Sequence, residues 1–154
     1  MKPKFINAHI KSAKAYAELS SAKRLQVGCV IVKDNTIIGI GYNGMPSGWD
    51  NNCEEVIEQH EDGGQVLKTR PEVLHAETNA IAKVAKSTNS TDGADMFITH
   101  APCLECAKLI HQSGIKSVWF SKHYRDESGI NFLQKCKIGV NHVGQEIHEQ
   151  SISN

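Results

Sequence analysis

No run of this 154-residue chain is apolar for long enough to span a bilayer, and the longest apolar-rich stretch, Val27 to Val32, is strand-sized. Met1-Lys2-Pro3-Lys4-Phe5 leads straight into a polar, helix-like stretch, so neither a signal peptide nor a membrane anchor is expected. A surplus of either charge is also missing, because 17 Lys and Arg balance 17 Asp and Glu. Proteins that hold long nucleic acids carry a basic excess to neutralise phosphates, so the balance favours a small substrate over RNA or DNA. An even set of cysteines is absent too. Five thiols without an export signal argue against a disulfide framework and point to metal or catalytic use in a cytoplasmic protein. No repeat and no linker divides the chain, and its length suits one domain over residues 1–154.

What is present is an alternation of short elements. Phe5, Ile10, Ala13, Ala17 and Leu19 recur at roughly helical spacing, which predicts an amphipathic helix near residues 4–20. Val27 to Val32 reads as a buried strand, Asp34-Asn35 as a tight turn, and Thr36 to Tyr42 as the returning strand. From Asn43 to Arg70 no periodicity is sustained. That segment reads as a long functional loop, variable at about 49–70, with a short helix at Glu54 to His60. Helices are then expected at His75 to Lys86, Leu104 to Gln112 (capped by Gly114) and Ile130 to Cys136. Strands are expected at Met96 to Thr99, Val118 to Phe120 and Ile138 to Val143, before a polar tail at about 145–154. The order implies a three-layer α/β/α sandwich around a mixed five-stranded sheet.

The chemistry concentrates in His75-Ala76-Glu77 and Pro102-Cys103-Leu104-Glu105-Cys106. His-x-Glu followed by Pro-Cys-x-x-Cys is the signature of zinc-dependent nucleobase deaminases. Cys103 and Cys106 are three apart, on one side of a helical turn, with Pro102 suited to the first helical position. Exposed N–H groups at a helix start favour thiolates, the form that binds zinc. His75 and Glu77 lie about 200° apart around a regular helix, so both reach one metal only at a helix start. One imidazole and two thiolates leave a fourth tetrahedral position for water, the pattern of a catalytic zinc site. Two thiolates acidify that water weakly, which calls for a neighbouring base, and Glu77 is placed to be one. The alternative is a structural zinc knuckle closed by Cys29, Cys53 or another His, with Glu77 on the surface.

With these residues the chain resembles the cytidine/deoxycytidylate deaminase superfamily, and within it the dCMP deaminases. The resemblance runs from about Lys23 to Val143, through Lys23-Arg24-Leu25-Gln26-Val27-Gly28, Gly41-Tyr42-Asn43-Gly44-Met45-Pro46-Ser47-Gly48, His75-Ala76-Glu77-Thr78-Asn79-Ala80-Ile81, Pro102-Cys103-Leu104-Glu105-Cys106-Ala107-Lys108, Gln112-Ser113-Gly114-Ile115-Lys116 and Tyr124-Arg125-Asp126. It implies zinc on His75, Cys103 and Cys106, proton transfer by Glu77, and hydrolysis of dCMP to dUMP with release of ammonia. It also implies that Asn43 bonds the deoxyribose hydroxyl, that the Ala76 backbone contacts the base, and that Tyr124 packs near sugar and base. The Gly41–Gly48 run, with Arg24, Gly41, Tyr42, Gly44 and Met45, lies where such enzymes sense dCTP as activator and dTTP as inhibitor in a hexamer. Mg2+ would accompany the triphosphate.

From the residues themselves, the Gly-rich run suits either a phosphate-approaching loop or a plain strand-exit turn. Arg24 and Arg125 suit a phosphate, because a guanidinium bonds two oxygens at once, and equally suit a solvated surface. Cys53 and His60, with His9 or another His, could form a second zinc site, as some family members have. Cys29 and Cys136 read as small core residues, and Trp49 could help close the site. Rival functions are deamination of a free nucleoside, a base or tRNA, and nucleotide sensing without turnover.

Overall fold

The computed structural model describes residues 1–144, so the expected polar tail lies outside the described residues. Helix α1 (Pro3–Ala17) starts with Pro in its first turn and buries Ile6, Ile10, Ala13 and Ala17 as one stripe. Strands β1 (Gly28–Lys33) and β2 (Thr36–Tyr42) form an antiparallel hairpin. Asp34 and Asn35 both take positive φ (49° and 59°), as a two-residue turn matched to strand twist requires.

After a second hairpin come α2 (Ala76–Ala85), β5 (Asp95–His100), α3 (Leu104–Gln112), β6 (Ser117–Lys122), α4 (Ser128–Lys135) and β7 (Gly139–His142). The main sheet has the order β2-β1-β5-β6-β7. Strand β1 runs antiparallel to β2 and β5, whereas β5, β6 and β7 are parallel to one another. The expected mixed five-stranded sheet is therefore present. Residue alternation sorts its faces. Val30, Val32 and Phe97 meet Ile6, Ile10 and Ala13 of α1 on one side. Cys29, Ile31, Met96, Ile98 and Val118 meet α2, α3 and α4 through Ala80, Val84, Ala107, Ile110 and Leu133 on the other. Among the described residues no helix is long and apolar enough to cross a membrane.

One element departs from expectation. The segment read as a loop with a helix at Glu54 to His60 is instead an antiparallel hairpin, β3 (Glu54–Gln59) and β4 (Gln65–Thr69), turned at Gly63 with φ of 89°. Its outer residues are exposed, so no buried face imposes an apolar alternation. A register shift between Val56 and Glu58 breaks the period further.

Candidate active site

Two helix starts meet at the cavity floor. His75 is the N-cap of α2, with extended φ and ψ of −77° and 154°, and Glu77 sits in the first turn behind it. Cys103 is the N-cap of α3, with φ and ψ of −70° and 169°, and Cys106 follows in the first turn. Pro102 therefore precedes the cap rather than opening the helix. The cap position lets Cys103 turn its thiol outward while its carbonyl accepts the Ala107 N–H at 2.9 Å.

The side chains converge. His75 Nδ1 lies 3.3 Å from Cys106 Sγ and 3.6 Å from Cys103 Sγ, and all three donor atoms fall within 4.8 Å of one another. Tetrahedral zinc holds sulfur and imidazole donors roughly 3.5–3.8 Å apart, so this donor set fits the ion. Glu77, 5% exposed, accepts a hydrogen bond from the Cys106 thiol at 3.6 Å through Oε2.

Electrostatics follow from the packing. Hydrogen bonds from Cys106 and then His75 hold the Cys103 thiol at a pKa of about 4, so Cys103 carries the thiolate. That same Cys103 contact, with burial second, pushes the Cys106 thiol up. The hydrogen bond to Cys103 raises His75, against the opposing effect of burial. Burial also raises the Glu77 carboxyl above the ordinary carboxylate range.

The cavity above these groups has a volume of about 490 Å³, and Arg24, Asn43, Ala76, Tyr124 and Arg125 all line it. Ala76 is fully buried between the two functional residues of α2. Asn43 is heavily committed: its Oδ1 accepts the Val27 N–H at 2.9 Å and its Nδ2 donates to the Leu25 carbonyl at 2.8 Å. Arg24 and Arg125 approach the same cavity, so Arg24 groups with the candidate substrate contacts.

The Gly-rich run does structural work. A Cβ on Gly41 would overlap the Ala76 carbonyl and lie 2.7 Å from the Ala80 N, so glycine lets β2 and α2 touch. Gly44 pairs with Leu74 through two backbone hydrogen bonds of 3.1 and 2.8 Å, which fixes the residue just before His75. Tyr42 accepts the Asn79 amide at 2.9 Å and lies under Lys83, and Met45 packs on Ala22, Cys53 and Val73.

Cys53 and His60 are not brought together. Cys53 is fully buried near Ser21, whereas His60 stands exposed by the hairpin turn beside Glu58. His9 instead bonds Asn35 at 3.0 Å. Cys29 is a core residue, Cys136 packs against the same core, and Trp49 is exposed off the cavity wall. Sequence reasoning missed Glu54, Thr69 and Gly129. A Cβ on Gly129 in α4 would overlap the Pro102 carbonyl and crowd Cys103, so glycine lets α4 brace the start of α3. Glu54 and Thr69 enter the cavity only because the hairpin folds, which no local motif announces.

Residues 3–122 match the family model for the cytidine and deoxycytidylate deaminase zinc-binding region. Human deoxycytidylate deaminase is 44% identical over 115 residues, covering 71% of this chain and 61% of that protein. ComE operon protein 2 of Bacillus subtilis is 38% identical over 109 residues, covering 69% of this chain and 53% of that protein. The chain thus spans between half and two thirds of these curated relatives' lengths. A crystal structure of dCMP deaminase from the cyanophage S-TIM5, in complex with dCMP and dUMP, superposes with a TM-score of 0.82 at 42% identity. That superposition covers 93% of this chain and 99% of the phage chain. The chain belongs to the cytidine and deoxycytidylate deaminase family of zinc-binding domains.

Proposed function

We propose that this protein catalyses hydrolytic deamination of dCMP to dUMP with release of ammonia. The observation that carries the reading is the convergence of His75, Cys103 and Cys106 beside buried Glu77, in a cavity that also presents Arg24 and Arg125. The similarity to the phage protein crystallised with dCMP and dUMP supports the choice of substrate. His75, Cys103 and Cys106 would hold a zinc ion, which would supply Lewis acidity beside Glu77.

The chain's own residues do the rest. Glu77, with a carboxyl raised by burial, takes a proton from the attacking water, delivers it to N3, and assists departure of the amine. The Ala76 backbone meets the base and Tyr124 packs against sugar and base. Arg24 and Arg125 offset the phosphate charge. Regulation by dCTP and dTTP, with Mg2+ on the triphosphate, a hexameric assembly and a cytoplasmic location belong to the same reading and rest on the family resemblance.

The test is ammonia release by zinc-loaded protein from cytidine, deoxycytidine, CMP, dCMP and adenosine, each with and without dCTP. Preference for dCMP is expected. Faster turnover of cytidine or adenosine would move the protein to another branch of the family, and triphosphate binding without turnover would make it a sensor.

A further inference from the structure

Glu54, the first residue of β3, is 4% exposed and, with Glu77, one of two buried acidic residues on the cavity wall. Its oxygens are used unequally. Oε1 accepts the Lys23 N–H at 2.7 Å and the Arg24 N–H at 3.1 Å. Oε2 is buried and has no hydrogen-bond partner among the described residues. Anchoring the Lys23–Arg24 turn needs one oxygen. A buried carboxylate oxygen left without a donor is costly, and a ligand's O–H supplies what the protein does not.

Each other side-chain acceptor on this wall already has a role, whereas Glu54 Oε2 is the one buried side-chain oxygen among the described residues with no donor. Asn43 clamps Leu25 and Val27, Thr69 Oγ1 accepts from Arg24 at 3.2 Å, and Glu77 belongs to the proton transfer. Oε2 is buried as it stands, so pairing with a ligand requires the carboxylate to turn about its terminal torsion, which is soft in glutamate. A 2′-deoxynucleoside 5′-phosphate has one free sugar hydroxyl, at C3′. Its phosphate is repelled by Glu54 and attracted by Arg24 and Arg125, which favours the orientation that sends the hydroxyl to the carboxylate.

We propose that Glu54 is the acceptor for the substrate's free 3′-hydroxyl, and so a residue that restricts the site to mononucleotides; this rests on the nucleotide deaminase reading above. A nucleotide without the 3′-hydroxyl leaves the carboxylate unpaired. One carrying a 3′-phosphate, as every internal residue of a polynucleotide does, sets negative charge against it. Selection against RNA and DNA is then built into the cavity wall.

The experiment compares kcat/KM for dCMP, 2′,3′-dideoxy-CMP and deoxycytidine 3′,5′-bisphosphate in wild-type and Glu54→Gln proteins, with zinc content and thermal unfolding measured alongside. Wild type is expected to favour dCMP over each analogue by at least ~100-fold, as sites built around a substrate hydroxyl do. Glu54→Gln keeps an oxygen for the Lys23–Arg24 turn but loses the charge. Its discrimination against the bisphosphate should shrink about tenfold or more. A purely structural role would lower all three substrates together and leave the ratios unchanged, which overturns the proposal. Wild-type turnover of the dideoxy analogue within about threefold of dCMP overturns it without any variant. Failure of wild type to release ammonia from dCMP at all would defeat the functional reading itself, before any ratio is taken.

Discussion

Replacing Gly41 with alanine tests how closely sheet and helix must approach for the site to work. The added Cβ would fall well inside 3.0 Å of the Ala76 carbonyl oxygen and 2.7 Å from the Ala80 N, both backbone atoms of α2. No side-chain rotation relieves that contact, so the start of α2 must retreat by about 1 Å in a close-packed interior. Overpacking of this kind costs about 1–3 kcal/mol, or a Tm loss of roughly 2–10 °C for a chain this size. Ala76 lies between His75 and Glu77, so the same retreat moves an imidazole and a carboxylate that must share one reacting centre. A misplacement of ~1 Å can cost about 100-fold in rate, and Gly41→Ala should lower kcat/KM for dCMP by about 10- to 100-fold. Gly44→Ala is the control, since a Cβ there meets nothing within 4 Å. It should stay within about twofold in rate and ±0.5 kcal/mol in stability. Thermal unfolding and steady-state ammonia release measure both. If Gly41→Ala were silent while Gly44→Ala lost activity, the run would serve as a ligand loop and the packing argument would be refuted.

Glu77→Ala should lose ~10²–10⁴ in kcat yet retain one zinc per chain by elemental analysis, whereas Cys103→Ser should lose metal and turnover together. Zinc uptake should release protons. Cys103, at about 4, already carries a thiolate near neutrality, whereas the raised Cys106 thiol must give up its proton to bind. Affinity should therefore rise with pH and fall further as pH drops toward 4 and Cys103 is protonated as well. Calorimetric titration in buffers of different ionisation enthalpy reads this, and zinc binding with no proton release at pH 7 would contradict it.

The metal constellation was legible because its spacing is short and its chemistry narrow. His-x-Glu makes sense only where a helix begins, and His75 does cap α2. Pro102 misled by one position: its missing N–H is tolerated before the cap as well as just inside the helix, and Cys103 takes the cap. Glycines were ambiguous for a different reason. A glycine that admits phosphate and one that admits a neighbouring helix look alike in sequence, and the contact facing Gly41 is supplied by residues 35 and 39 positions away. The β3–β4 hairpin was invisible because an exposed ladder lacks the apolar alternation that marks a buried strand. With it went Glu54 and Thr69, whose importance comes from where the ladder starts and ends.

That placement divides the hairpin into two regimes. Its root is tied to the cavity by Glu54 on the Lys23–Arg24 turn and by Arg24 on Thr69. Beyond the root, Val56, Ile57 and the turn around Gly63 face outward. Rungs added or removed at the far end lengthen or shorten a ribbon in water while the wall stays where it is. Drift in length is tolerated at the tip; at the root, a single-residue slip would swing the carboxylate out of the cavity and reverse every side chain behind it.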